Sequence, residues 1–360
     1  MLKADSIRWN EIYGSWRSFY PLEAHIELTY KCNFKCVYCF CSMDNAKITP
    51  ELNYSDWKRV LDKLYMAGIL RVTFTGGEPL AHNDFKDIYL YAKKKGFIIS
   101  VFTNGALLTR ELMGFFVKEP PFLIEITLHS LDAKIYSSIT GSSVSRLKLL
   151  LETMRQLKLH NLNLVIKTVG LKENKTEISK IKIFAESLLG NNRFRFDYYV
   201  FPKLNGDNAP CRHRLSVKDI CSILERDKDI LLTNYQQHAN SKSLPVNNGR
   251  LYICNSWHTS FFINPYGMFR FCLLSEKYSW DTLKHDFKPM FYKSCEYVSH
   301  LVRTSHAKCG SCNSRRFCIT CPARAFLESG NEEEPVDFFC RLAHAEKNRF
   351  KDGIKARYKT

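Results

Sequence analysis

Apolar and polar positions divide the chain into short strand-like and longer helix-like stretches. Residues 24–30 alternate, with His25, Glu27 and Thr29 on one side and apolar residues on the other, which is the period of a β-strand. Residues 55–67 follow helical spacing: Trp57, Val60, Leu61 and Leu64 share a face, Ser55 is placed to cap and Gly68 to stop. The pattern repeats. Strands are predicted over 71–75, 97–102, 122–128, 162–169 and 194–200, and helices over 84–95, 143–159 and 216–226. The run Asn174-Lys175-Thr176-Glu177 has the form of a capping box opening a helix that ends at Leu189, before Gly190. Strands separated by helices mean βα units and a parallel sheet.

Parallel strands buried on both faces are usually continuous apolar runs, and these are not. The fourth strand sets Glu125, Thr127 and His129 against Ile124, Ile126 and Leu128. The sixth sets Arg193, Arg195 and Asp197 against Phe194, Phe196 and Tyr198, and the fifth carries Lys167 among apolar residues. Apolar faces packed on outer helices and polar faces around a wet cavity describe an open barrel holding a polar ligand, not a filled core. Internal ion pairing of some of these residues is the other reading.

The expected layout is a strap over 1–23, a barrel over 24–201, a loop-rich bridge over 202–253, a cysteine-rich unit over 254–345 and a basic tail over 346–360. Residues 1–10 lack the apolar core of a signal peptide, and no apolar run is long enough for a membrane span, so a cytoplasmic protein is expected. A net charge of +17 suggests an acidic partner. The short basic runs, Lys93-Lys94-Lys95 and the tail, also suit solvated helix ends.

The chain has 14 cysteines, and ten fall in spaced patterns that suit metal or cluster ligands in a reducing compartment. Cys32-Asn33-Phe34-Lys35-Cys36-Val37-Tyr38-Cys39 follows the first strand. Three thiolates on one loop can hold three irons of a [4Fe–4S] cluster and leave one open. A structural zinc closed by Cys41 is the alternative, although zinc sites are usually built from two separated pairs.

This CxxxCxxC run, followed about forty residues later by Thr75-Gly76-Gly77-Glu78-Pro79 after the second strand, resembles the radical SAM superfamily. The resemblance implies a partial (β/α)6 parallel barrel of α/β class. It implies that S-adenosylmethionine (SAM) chelates the open iron and that a radical derived from it abstracts hydrogen from substrate. It further implies that Gly76 and Gly77 let backbone approach the methionine end, that Glu78 lies by its ammonium, and that Tyr38 flanks the adenine. Asn104, Thr127, Ser130 and Lys167 are further cofactor-binding candidates, and His129 and Asp197 are candidate catalytic residues.

Cys254-x12-Gly267-x4-Cys272, then Cys309-x2-Cys312-x5-Cys318-x2-Cys321 and Cys340, resemble the SPASM domain, a small cysteine-rich C-terminal extension with two auxiliary [4Fe–4S] clusters. Its common form has x3 at the last internal spacing, where this chain has x2. The pattern assigns Cys309, Cys312, Cys318 and Cys340 to one cluster and Cys254, Cys272 and Cys321 to the other. The second set lacks a fourth thiolate: Ser260 stands where some relatives have cysteine. His258, water or a substrate group is left to complete it. A zinc ribbon is the alternative.

Phe194-Arg195-Phe196-Asp197, Gly206-Asp207-Asn208-Ala209-Pro210 with Arg214-Leu215-Ser216, and Cys321-Pro322-Ala323 are most similar to peptide-modifying members. These form thioether or carbon–carbon crosslinks in ribosomally made peptides. Maturation of sulfatases by formylglycine formation is the alternative. The implied partners are a peptide or protein substrate, a separate leader-binding protein, since only 23 residues precede the first strand, and a reductase or flavodoxin-like electron donor. A zinc-binding RNA-recognition protein would explain the charge but not Gly76-Gly77-Glu78-Pro79, and no RNA-binding signature is present.

Overall fold

A computed structural model describes residues 19–41, 50–227, 249–252, 254, 256–304 and 308–357. Six parallel strands form the frame: β1 (Glu23–Thr29), β2 (Arg71–Gly76), β3 (Ile98–Thr103), β4 (Leu123–Thr127), β5 (Leu164–Val169) and β6 (Phe194–Asp197). Each pairs in parallel with its sequence neighbour. The outer layer is α1 (Tyr54–Met66), α2 (Phe85–Lys94), α3 (Arg110–Lys118), α4 (Ala133–Thr140), α5 (Arg146–Leu159) and α6 (Ile178–Leu189). The apolar faces Ala24-Ile26-Leu28 and Ile124-Ile126-Leu128 are fully buried in the core they share with these helices. This is the partial (β/α)6 parallel barrel.

Three local expectations are corrected. The cap of α1 is Asn53, whose side chain accepts the Asp56 N–H at 3.1 Å, and not Ser55. Asn174 does not cap α6: it is buried, accepts the Leu171 N–H at 2.7 Å and donates to the His129 and Val169 carbonyls, both at 2.9 Å. It braces the ends of β4 and β5, which is a tertiary task the local pattern does not reveal. The single helix expected over 143–159 begins at Arg146, and α3 and α4 were missing from the expectation. Both are short and owe much to caps: Thr109 accepts the Leu112 N–H, and Asp132 those of Lys134 and Ile135.

The sheet does not stop at β1. After α7 (Val217–Arg226) and the single turn α8 (Ser256–Thr259), β7 (Ser260–Ile263) pairs in parallel with β1. The antiparallel strands β8 (Met268–Arg270) and β9 (Trp280–Asp281) follow, giving the order β6-β5-β4-β3-β2-β1-β7-β8-β9 among the described residues. The helices α9 (Phe287–His300), α10 (Pro322–Ser329) and α11 (Asp337–Arg357) complete the C-terminal part. The polar side of β1 therefore faces this part rather than a wet cavity. His25 stacks on Phe262 with ring centroids 4.8 Å apart, and Glu27 forms an ion pair with Arg270 of β8, both fully buried. Burial draws the Glu27 carboxyl upward, and Arg270 opposes that.

Trp9, Tyr13 and Trp16 of the expected strap lie outside the described residues. Phe19 packs on Trp257, and the N–H groups of Tyr20 and Leu22 donate to the carbonyls of His258 and Thr259. The bridge is also bound in: Leu215, Ile220 and Leu224 pack with Leu342 of α11, and Arg214 Nη1 donates to Glu328 of α10 at 3.0 Å. Glu346, at the start of the expected tail, is buried within α11 and accepts the Tyr198 hydroxyl at 2.9 Å.

The end of β2 presses against the chain leaving β1. Gly76 has φ +125°, and a Cβ there would lie 2.5 Å from the Thr29 carbonyl oxygen. A Cβ on Gly77 would lie 2.6 Å from the carbonyl oxygens of both Tyr30 and Lys31. The two glycines thus let the strand ends touch, and the Gly77 N–H donates to the Thr29 carbonyl at 2.8 Å.

Two outcomes follow. Arg270→Met leaves the Glu27 carboxylate buried without its partner and should cost ~3–5 kcal/mol in urea unfolding, whereas Arg270→Met with Glu27→Gln should recover most of the loss. A double variant as unstable as the single one would contradict this account. Gly77→Ala should cost about 1–3 kcal/mol, because carbonyls on both sides leave the new methyl no room; a melting temperature equal to the parent's would contradict it.

Candidate functional site

The loop after β1 carries the first three cysteines, and backbone bonds hold it on two sides. Lys35 and Val37 N–H groups donate to the Thr140 and Ile139 carbonyls at the end of α4, both at 2.9 Å. The Leu204 N–H donates to the Phe40 carbonyl at 2.9 Å, joining the loop to the segment after β6. Cys32, Cys36 and Cys39 line a cavity of about 570 Å³. The ends of β2, β3, β4 and β5 form its other walls, so it opens where barrels of this kind place their chemistry.

The thiols influence one another electrostatically. Burial, and then the charges of Cys39 and Cys32, push the Cys36 thiol well up, and burial likewise raises Cys32. Cys39 is drawn down to about 7, first by a hydrogen bond from the Cys41 thiol. Three thiolates in one half-buried place repel one another unless a cationic group takes them, which suits the donor set of an iron–sulfur cluster. Cys41 is buried on the same cavity wall beside Cys39. Among the described residues, no group of three His, Cys, Asp or Glu side chains is placed to hold a single metal ion.

Tyr38, Gly76, Gly77, Asn104, Thr127, His129 and Lys167 all line the cavity. The Tyr38 ring meets His129 edge-on, with its hydroxyl 3.0 Å from Nε2. Burial, with Lys167 next, pushes the His129 imidazole down to about 3, so it is neutral. Lys167 lies 3.9 Å from Asp197.

Three candidates stand behind the wall instead of on it. Glu78 is fully buried and accepts hydrogen bonds from Thr103 Oγ1 at 2.7 Å, the Asn104 N–H at 2.8 Å and the Leu80 N–H at 3.1 Å. Burial outweighs these donors and pushes its carboxyl up to about 7. Ser130 is fully buried and donates to Glu177 at 3.2 Å. Asp197 sits beside Lys167, accepts the Tyr199 N–H at 2.9 Å and does not line the cavity.

Glu125, on the polar face of β4 that the alternation set with Thr127 and His129, lines the cavity and also pairs with Arg195. Other walls were passed over by the sequence reading. Lys203, Ala209 and Pro210 come from the presumed bridge, where no periodicity marked them.

The C-terminal cysteines fall into two groups. Cys340 on α11 is raised by burial first and then by the charges of Cys318, Cys309 and Cys312. Cys272, just after β8, is pushed up to about 12 by burial first and then by Cys321 and Cys254. The ring of His258 meets Phe19 at 4.9 Å and Trp257 at 4.3 Å, in an aromatic setting. Cys295, outside both groups, is buried and donates to the Trp257 carbonyl at 3.7 Å.

Residues 26–185 match the model of the Radical SAM superfamily. A PqqA peptide cyclase of Rhodopseudomonas palustris is 31% identical over 121 residues, 34% of this chain and 32% of that protein. An S-adenosylmethionine-dependent nucleotide dehydratase of Selenomonas ruminantium is 38% identical over 87 residues, 24% of this chain and 31% of that one. The chain thus spans about a third of the length of these curated relatives. Among solved structures, Streptococcus suis SuiB bound to precursor peptide SuiA superimposes with a TM-score of 0.69 at 20% identity, covering 90% of this chain and 76% of that one. Native anSMEcpe with bound AdoMet and Kp18Cys peptide gives 0.64 at 16% identity, covering 94% of this chain and 100% of that one. These structures share the fold across both the barrel and the C-terminal part. Residues 26–185, which carry the thiol loop and the paired glycines, are thus similar in sequence to the Radical SAM superfamily.

Proposed function

We propose that the protein is a radical SAM enzyme that modifies a peptide or protein, forming a thioether or carbon–carbon crosslink in a ribosomally made peptide. One observation carries the reading. Cys32, Cys36 and Cys39 meet at a cavity of about 570 Å³ at the strand ends, and the chain supplies two further cysteine groups beyond it. The likeness to SuiB bound to its precursor peptide and to a PqqA peptide cyclase supports a peptide substrate. In this reading Cys32, Cys36 and Cys39 hold a [4Fe–4S] cluster. Cys309, Cys312, Cys318 and Cys340 hold one auxiliary cluster, and Cys254, Cys272 and Cys321 hold another. SAM bound at the first cluster supplies hydrogen-atom abstraction.

The chain's own residues do the rest. Lys167 offers a cation to a carboxylate at the cavity wall, with Asp197 limiting its movement from 3.9 Å. Thr127 and the Asn104 amide offer polar contacts on the adjoining strand ends. Tyr38 presents a flat apolar face. His129, held neutral by burial, offers a neutral imidazole for hydrogen bonding beside the Tyr38 hydroxyl. Lys203 and Pro210, contributed by the segment after β6, line the cavity together with the strand ends' own residues. Among the described residues no helix is long and apolar enough to cross a membrane, and a cytoplasmic setting fits ten cysteines spaced as cluster ligands.

The test has two tiers. Cys32→Ala, Cys36→Ala and Cys39→Ala should each reduce SAM cleavage to 5′-deoxyadenosine to background and remove about four irons per chain. A variant that cleaves SAM at the parent rate would overturn the cofactor assignment. Cys309→Ala and Cys340→Ala should remove a similar amount of iron, retain SAM cleavage and lose modified peptide, read by mass spectrometry on candidate peptides encoded beside the gene. A neighbouring sulfatase gaining formylglycine instead would replace crosslinking with sulfatase maturation.

A further inference from the structure

We infer that Asn104 and Glu78 are positioning residues for the iron–sulfur group itself. Asn104 donates an N–H to the Cys32 sulfur, and Glu78 holds Asn104 in the conformation that does so. The inference rests on the reading that Cys32, Cys36 and Cys39 are the cluster ligands.

Asn104 Nδ2 lies 3.7 Å from Cys32 Sγ and 2.8 Å from Asn33 Oδ1. The other end of the amide sets its orientation: Oδ1 accepts the Ala106 N–H at 2.9 Å. Turning the amide over would leave that N–H facing another donor and present a carbonyl to sulfur, so the nitrogen is the end that faces Cys32. Sulfur also receives the Phe34 N–H at 3.4 Å. Two N–H groups from different parts of the fold thus converge on one thiol.

The Asn104 backbone is held from below. Its N–H donates to Glu78 Oε2 at 2.8 Å, while Glu78 Oε1 accepts from Thr103 and Leu80. Thr103 Oγ1 in turn accepts the Gly105 N–H at 3.0 Å, which closes the turn. Gly105 has φ +76°, a conformation that glycine adopts without strain. A buried carboxylate with three donors is costly to disturb, and here its partners are the residues that aim the amide. Glu78 does not line the cavity and acts through Asn104.

Hydrogen bonds to ligand sulfurs withdraw electron density from them and favour the more negative, reduced cluster, raising its reduction potential. The Asn104 bond to Cys32 should act in this direction. That effect is separable from a contact between Asn104 and SAM, because it persists without SAM.

The experiment is a redox titration of the full-length reconstituted protein, followed by electron paramagnetic resonance, without and then with SAM. The signal of the barrel cluster is isolated by subtracting that of a Cys32→Ala/Cys36→Ala/Cys39→Ala variant. If the subtraction leaves nothing, the cluster assignment has failed, and not this inference. Without SAM, Asn104→Ala should shift the midpoint to lower potential, and Asn104→Asp, nearly the same shape but presenting a carboxylate, should shift it further. Glu78→Asp, which keeps the charge but is one methylene too short to hold the Asn104 N–H, should shift it the same way and add nothing in the Asn104→Ala background. Should Asn104→Ala lose iron, Asn104→Asp carries the test alone. Unchanged SAM-free potentials together with weaker SAM binding would mean that Asn104 serves only SAM and would overturn the inference. A Glu78→Asp shift that persists beside Asn104→Ala would remove Glu78 from it.

Discussion

The ion pair between Glu27 and Arg270 holds the two parts of the molecule in one register. Both side chains are fully buried, so each charge depends on the other: an isolated charge in that setting would be costly. Glu27 lies on β1, whose end leads into the loop of Cys32, Cys36 and Cys39. Arg270 lies on β8, two residues before Cys272. The pair thus fixes two cysteine groups relative to a shared strand. The parallel pairing of β7 with β1 adds backbone bonds to the same junction, and His25 stacks on Phe262 across it.

On the other side of β1, geometry takes the place of charge. The Gly76-Gly77 turn lets β2 meet the chain after β1 at distances that no side chain allows. The Glu78 N–H then donates to the Lys31 carbonyl at 2.9 Å, one residue before Cys32. The short motif links the two elements that carry the site, and its first task is to seat the thiol loop on the barrel. The glycines were expected to admit a cofactor; they do line the cavity, but the steric limit on them comes from the chain's own carbonyls.

Much of the fold was legible because its signals were local. The alternation on β4 placed Thr127 and His129 on the cavity side and Ile124 and Ile126 in the core. Other features were hidden for physical reasons. The run from Asn174 to Glu177 looks like a cap, yet Asn174 answers a carbonyl at the end of β4, far away in sequence. Lys203 and Pro210 sit in a stretch without periodicity and reach the cavity only because the 203–207 turn bonds to Phe40. Pairing of β7 beside β1 joins residues more than two hundred positions apart, and strand periodicity does not encode partners. Glu78 was expected at the ligand. A buried acid and an exposed one look alike in sequence, and only the donors around it reveal its place.

The junction at β1 also bears on how such chains diversify. A barrel detached after residue 201 would present the β1 edge with unanswered amides and carbonyls, and Glu27 would lose its counter-charge. Exposed strand edges invite pairing with other chains, so the isolated barrel would be prone to aggregate. The C-terminal part is therefore not a freely exchangeable module. Recombination that imports a new cysteine-rich part from a relative would have to bring an arginine to the position of Arg270 and a strand able to lie beside β1. It would also need a surface that accepts Arg214 and Leu224 of the intervening segment, which now meet Glu328 and Leu342. Inheritance should favour moving the whole unit from β1 to α11 and varying the cavity residues one at a time.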